Sequence, residues 1–147
     1  MTYSLDYCQV IPKPLEEVFP FFSEAKNLER ITPSFLSFKV IEDKDLTMHQ
    51  GLIINYKLKL YGIPFRWKTE ITKWEPPYGF VDSQIEGPYK SWIHEHTFKA
   101  LDAHTTEMQD HIEYDHAYGK SINKLFVGPN VKKIFAYRFK VIEEIMA

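Results

Sequence analysis

The run GFVDSQIEGPYKSWIHEHTFKALDAHTTEMQDHIEYD, residues 79–115, decides the fold. Its apolar and polar side chains alternate with a period of two, and the alternation breaks only at Gly87-Pro88 and Asp102-Ala103-His104. That pattern predicts strands at 79–87, 90–101 and 105–115, and links this short force neighbouring strands to run antiparallel. The same period continues upstream, predicting strands at 36–42, 51–61 and 64–74, joined at Gln50-Gly51, Gly62-Ile63-Pro64 and Pro76-Pro77-Tyr78-Gly79. A further strand spans 3–11, where Tyr3, Leu5, Tyr7, Gln9 and Ile11 share a face, and it stops at Pro12.

Two stretches change the period. LEEVFPFFSEAKNLERIT, residues 15–32, places Leu15, Val18, Phe19 and Phe22 at helical spacing. Pro14 suits a first helical turn and Pro20 breaks the run early, so two short helices are expected, with Ser23 capping the second and Thr32-Pro33 ending it. From Gly119 to the C-terminus, Ile122, Leu125, Phe126, Val131, Ile134, Phe135, Arg138, Val141, Ile142 and Ile145 recur every three or four residues. Gly128-Pro129 interrupts that amphipathic pattern, which predicts a short turn and then a main helix starting at Pro129. The class is therefore α+β, with seven antiparallel strands, two short helices after the first and a long helix at the end.

Strand parity selects the inward side chains. Ser91, Ile93, Glu95, Thr97 and Lys99 make a wet face, so Trp92, His94, His96 and Phe98 point inward. By the same argument Met108, Asp110, Ile112 and Tyr114 point inward from the next strand, and Leu52, Ile54, Tyr56, Leu58 and Leu60 from 51–61. Strand 64–74 turns Phe65, Trp67, Thr69 and Ile71 inward. On 79–87 a tight turn about Pro88-Tyr89 favours Phe80, Asp82 and Gln84, with Gln84 beside His94 and Asp82 beside His96; the opposite parity, Val81, Ser83 and Ile85, remains open.

An otherwise aromatic and aliphatic face thus carries Asp82, Gln84, His94, His96 and Asp110 on three adjacent strands. Buried polar groups cost roughly 1–3 kcal/mol each when unpaired, so such a cluster satisfies itself, holds water or meets a ligand. The expected site joins this cluster to Tyr56, Trp67, Trp92, Phe98, Met108 and Phe135. The rings of Phe19, Phe22, Trp67, Trp92, Phe98, Phe126 and Phe135 read individually as core more often than as ligand cage. Arg138 reads as structural, either pairing with a carboxylate of the cluster or reaching solvent, while His49, His104, His111 and His116 read as solvated. Phe35 and Leu36 read as cavity rim or as plain packing.

The 147 residues suit one domain, 1–147, and an aromatic share of 16% suggests a ring-lined interior. A formal charge of -2 offers no basic field for nucleic acid, and no stable membrane insertion is expected because no window approaches roughly 20 apolar residues. The start lacks a signal-peptide pattern, so the expected location is cytoplasmic. Cys8 stands alone and reads as a plain strand residue. No Gly-rich phosphate loop, Ser-His-Asp order or zinc-protease helix occurs, so no cofactor is expected and no catalytic residue is assigned. A His94-x-His96 pair with Asp82 or Asp110 lacks a third ligand of fixed position, so no metal is expected either.

The element order resembles that of the START-like, or Bet v 1-like (SRPBCC), superfamily, which includes polyketide cyclases and coenzyme Q-binding START-type proteins. Local runs strengthen the likeness: Pro14-x-x-x-Val18-Phe19, Asn27-Leu28-x-x-Ile31-Thr32-Pro33, Ile134-Phe135-x-Tyr137-Arg138, and Phe80-Val81-Asp82-x-Gln84-x-x-Gly87-Pro88-Tyr89-x-x-Trp92-x-His94-x-His96-x-Phe98. The resemblance implies a helix-grip fold, a curved sheet around the terminal helix with a cavity between them that takes lipids, sterols, quinones, polyketides or aromatic compounds. The expected function is non-catalytic binding of a small, mainly apolar molecule. The alternatives are a cyclase or dehydratase using the His and Asp side chains, and a ligand-free module acting on an unknown protein partner.

Overall fold

The computed structural model describes residues 2–41 and 46–147. Strand β1 (Tyr3–Ile11) leads into helices α1 (Leu15–Phe22) and α2 (Asn27–Arg30) and a 3-10 turn at Ser34–Leu36. Six strands follow: β2 (Lys39–Val40), β3 (Ile53–Leu60), β4 (Ile63–Glu75), β5 (Gly79–Glu86), β6 (Ser91–Asp102) and β7 (Thr105–Asp115). The chain closes with α3 (Gly119–Ile122), a π-helical segment (Asn123–Val127) and α4 (Gly128–Ile145). All seven strands join one antiparallel sheet in the order β1-β7-β6-β5-β4-β3-β2, which is the meander the short links required. No helix of the described residues is long and apolar enough to cross a membrane.

The curved sheet is filled by the helices. Val18, Phe19 and Phe22 of α1 pack with Ile71, Phe80, Phe98 and Met108 of the sheet and with Ile142 of α4. The buried stripe of α4 is Val131, Phe135, Arg138 and Ile142, spaced by four, three and four residues. Its Phe135 stacks on Tyr7 at 5.0 Å, and the Gln9 side-chain amide donates to the Phe139 carbonyl at 2.9 Å. These contacts seat the helix against β1. Register shifts in β4 at Lys68/Thr69 and Ile71/Lys73, and in β6 at Ala100/Asp102, add the local bends that curve a sheet.

Several local expectations need correction. The main helix does start at Gly128 with Pro129 in its first turn, as expected, but the chain does not break ahead of it: a wider π-turn joins the short helical turn to α4, so helical residues run continuously from Gly119 to Ile145. A proline clashes with the carbonyl four residues back, and a π-turn moves that carbonyl aside. Gly128 serves the same turn, since a Cβ there would stand 2.9 Å from the Asn123 carbonyl oxygen. Helix α1 likewise passes through Pro20 and ends two residues later. Ser23 closes α1, its hydroxyl donating to the Pro20 carbonyl, and does not cap α2.

The expected strand 36–42 shrinks to Lys39–Val40, because Leu36 ends a 3-10 turn and Ser37 is left-handed at φ 47°. Residue 42 lies outside the described residues. Glu29 anchors what remains by accepting the Val40 amide at 2.8 Å. The β3–β4 hairpin turns on Tyr61 and Gly62, both with positive φ, as a two-residue link between right-twisted strands requires.

Gly79 sits where β5 meets β6, and a Cβ there would lie 2.6 Å from the backbone oxygen of His96. Backbone cannot yield as a side chain can, so Gly79→Ala is expected to cost about 1–3 kcal/mol. A lowered urea midpoint checks this; an unchanged one would show that the two strands part freely.

Candidate functional site

Three neighbouring strands bring the polar side chains together. In the β5–β6–β7 register, Asp82 lies opposite His94 and Ile112, and Phe80 lies opposite His96 and Asp110. The carboxylates therefore reach diagonally. His96 Nε2 is 2.6 Å from Asp82 Oδ2, and His94 Nε2 is 2.7 Å from Asp110 Oδ1. Asp82 does meet His96, as expected, but diagonally: with a bend at residues 87–90 the register lies two residues from the expected one, so Asp82 faces His94 and Gln84 has no place beside it.

Gln84 is thereby withdrawn from the cluster. Its amide donates to the Tyr89 carbonyl at 2.7 Å and accepts the Tyr89 amide at 3.2 Å, which makes it a brace for the bend.

The imidazoles stack on each other at 3.7 Å, with Phe80 on the outer face of His96 at 4.2 Å and Phe135 edge-on to His94 at 5.5 Å. From α4, Arg138 brings a guanidinium nitrogen to 3.4 Å from Asp110 Oδ1. His96 Nδ1 approaches the same oxygen at 3.5 Å, an ionic contact outside hydrogen-bond geometry.

The charges follow from this geometry. Burial and the neighbouring His96 charge push the His94 pKa down to about 4, against the pull of Asp110, so His94 is neutral near pH 7. Burial also opposes charge on His96, but the carboxylates of Asp110 and Asp82 outweigh it and raise its pKa. Burial disfavours a charged Asp110, yet Arg138, His94 and His96 hold its carboxyl well below the usual range. Burial opposes charge on Asp82 too, and His96 prevails over it and lowers the carboxyl. With His96 protonated, two carboxylates face one imidazolium and one guanidinium, so the buried cluster is neutral as a whole.

The cluster borders a cavity of about 140 Å³ between the sheet and α4. Of the expected site residues, Tyr56, Trp67, Asp82, Trp92, His94, His96 and Phe135 line it. Asp110 stands behind His94 as its partner, while Phe98 and Met108 are packed into the core beside α1. Parity alone puts these two at the site, since parity gives a face but not the position of α1 over it. Phe38 and Tyr89 also line the cavity without having been expected there; an aromatic Tyr89 beside Pro88 was the signal that could have found one of them. Arg138 lines it as well, with its carboxylate partner in Asp110. Leu36 is wall, whereas Phe35 is exposed beneath the Lys133 ammonium.

His49 and His104 are exposed, and His111 is partly exposed between Asp6 and Glu113. His116, expected in solvent, is buried: it stacks on Tyr3, meets Asn123 Oδ1 at 3.2 Å through Nε2 and accepts the Tyr118 amide at Nδ1. Phe126, expected in the core, is exposed.

Among the described residues, Asp82, His94 and His96 form the one group able to close on a metal ion, their ligand atoms lying within 4.8 Å of one another. An ion there would displace the Asp82–His96 bond and add positive charge to an already neutral cluster next to Arg138. The donor set fits a self-satisfied network better than a cation.

A curved seven-stranded antiparallel sheet gripping a long terminal helix, with a cavity between them, defines the Bet v 1-like class of helix-grip proteins. Residues 11–143 match the family described as polyketide cyclase / dehydrase and lipid transport, and the chain belongs to that family. Among solved structures it is similar to the ZhuI aromatase/cyclase from Streptomyces sp. R1128 (TM-score 0.77, 12% identity, 99% of this chain and 94% of that one). It is also similar to a protein from Thermus thermophilus (TM-score 0.73, 16% identity, covering 97% and 95%). A third likeness is to norcoclaurine synthase from Thalictrum flavum (TM-score 0.70, 13% identity, covering 99% and 94%). At such identities these structures establish the fold alone. No curated protein matches the sequence significantly.

Proposed function

We propose that the protein binds, without transforming it, a small and mainly apolar molecule carrying a hydroxyl donor. One observation carries the reading: Asp82 keeps 21% of its side chain exposed in a cavity whose apolar wall is Trp67, Trp92, Tyr56, Leu58 and Phe135, with His94, His96 and Arg138 gathered at its polar end. A charged carboxylate partly open to the cavity can accept from a phenol or alcohol in addition to its His96 bond, and the rings supply the apolar contact. A dry cavity of about 150 Å³ accepts a benzene-sized guest, so 140 Å³ suits one ring with its substituents.

A panel of phenols, naphthols and hydroxylated short-chain lipids, screened by thermal shift, tests it. A probe at about 100 times its Kd should stabilise the fold by about 2.7 kcal/mol. Asp82→Asn should weaken that probe roughly 10-fold through loss of the charged acceptor. Leu58→Trp, which fills the chamber, should abolish the shift while far-UV circular dichroism stays unchanged. An apo mass for protein taken from cells, with no shift across the panel, would end the reading.

A second reading, acid–base catalysis of ring closure or dehydration, has one observation in its favour. His94 and His96 stack in contact while their pKa values move in opposite directions, an arrangement that separates a base from an acid. Turnover of an accepted substrate that His96→Gln leaves intact would remove it.

A further inference from the structure

A second apolar groove, of about 330 Å³, opens at one end of the molecule. There the tip of the β3–β4 hairpin, the bend at Pro88-Tyr89 and the start of the terminal helix meet, and Leu60 and Tyr89 are common to this groove and the inner cavity. The Tyr61 hydroxyl donates to the Phe126 carbonyl at 3.1 Å, clasping the hairpin tip to the π-helical segment. Around that clasp Tyr61, Ile63, Tyr118, Leu125 and Phe126 are each more than half exposed. Scattered exposed apolar residues need no explanation, but five on two clasped elements form a patch that calls for a partner.

The charge around the patch says what kind. Residues 53–69 and 116–142, two of the three segments that build it, hold none of the chain's 20 Asp and Glu; the third, the bend at Pro88-Tyr89, follows Glu86, which pairs with Lys68 at 3.9 Å. They hold Lys57, Lys59, Arg66 and Lys68 in the first, and Lys120, Lys124, Lys132, Lys133, Arg138 and Lys140 in the second. A protein of formal charge -2 thus concentrates ten of its 18 basic residues in the segments where its apolar side chains are bare. Arg138 is buried, but Lys59, Lys120 and Lys124 are exposed next to the tips.

We propose that this rim docks reversibly on an anionic lipid surface, Leu125, Phe126 and Tyr61 entering the interface while the lysines meet lipid phosphates. Apolar and aromatic tips ringed by lysine suit a bilayer surface, where each Lys near anionic lipid adds attraction and each ring sits at the headgroup level. A second copy of the chain is a poor occupant, because two such cationic faces repel. Docking brings the mouth of the groove against lipid and requires no insertion of a spanning segment. The surface stands independently of what the cavity holds, and its test uses no cavity ligand.

Sedimentation with sucrose-loaded vesicles decides it, comparing phosphatidylcholine alone with phosphatidylcholine containing roughly 30 mol % phosphatidylserine. The protein should pellet with the anionic vesicles at about 0.1 M salt and be released at about 0.5 M. Lys120→Ala with Lys124→Ala should weaken binding about 30-fold, and Leu125→Glu should remove it, both with unaltered circular dichroism and urea midpoint. No pelleting, equal pelleting of all variants, or binding that ignores phosphatidylserine would each overturn the proposal. So would a concentration-dependent dimer abolished by Leu125→Glu, which would assign the face to a second copy.

Discussion

Asp110→Ala will destabilise the protein by about 3–5 kcal/mol, more than removal of most single core side chains. Asp110 is 4% exposed and is the shared partner of the cluster, at 2.7 Å from His94, 3.4 Å from Arg138 and 3.5 Å from His96. Without it the Arg138 guanidinium, whose Nε already has no partner, stays buried and loses its hydrogen-bonded carboxylate, leaving only the Asp82 carboxylate, itself bonded to His96, as a counter-charge. Arg138→Met in the same chain should restore a large part of the loss, because the apolar isostere removes the orphaned charge along with its missing partner. Urea unfolding of the two single variants and the double one checks both statements. A loss below about 1 kcal/mol for Asp110→Ala would mean that Arg138 finds water, and that the cluster is solvated.

The second large effect is on the dependence of stability on pH. His94 titrates at about 4 in the folded protein against an ordinary 6.5, so between those values the unfolded chain binds more protons and stability falls as pH falls. The gap corresponds to about 3 kcal/mol. His96 works in the opposite sense: its raised pKa contributes stability that is complete below pH 6.5 and is lost as pH rises through the folded value. Asp82 and Asp110, both lowered, add stability present above their usual range and withdrawn in strong acid. Maximum stability should therefore lie close to pH 6.5, with a limb on each side. His94→Gln, which retains a side-chain donor for Asp110, should flatten the acid limb between about pH 6.5 and 4 and leave the alkaline one. Urea midpoints from about pH 4 to 9 measure it; an acid limb unchanged in that variant would place the titration elsewhere.

The polar cluster was legible in part. His94, His96 and Asp110 announce themselves because a strand alternates its faces, and three charged or polar side chains fall on sides otherwise held by Trp92, Phe98, Met108 and Ile112. Parity says nothing of how far along the neighbouring strand a partner lies. With the bend at residues 87–90, β5 lies two residues along β6 from the expected register, which turns Gln84 from a cluster member into a brace and makes the Asp82–His96 contact diagonal, while the His94–Asp110 contact is diagonal through the β6–β7 register. Arg138 was recognisable as a cation on the apolar stripe of a helix, but its partner depended on where that helix lay over β7. His116 follows a strand of mixed polarity near a turn, and only the approach of Asn123, Tyr118 and Tyr3 buries it.

From its sequence alone this protein was bound to form seven alternating strands, a pair of short helices and one terminal helix. Periodicity and turn chemistry act between residues a few positions apart, and the links are too short for any but antiparallel neighbours. The tertiary structure decided what needs two elements at once: the strand register, the passage of the last helix through Pro129 on a π-turn, and the meeting of Asp110 with Arg138. The physical reason is one of range. A side chain's face is fixed by its own strand, whereas its partners and charge depend on distances of a few ångströms between segments that only the packed core brings together.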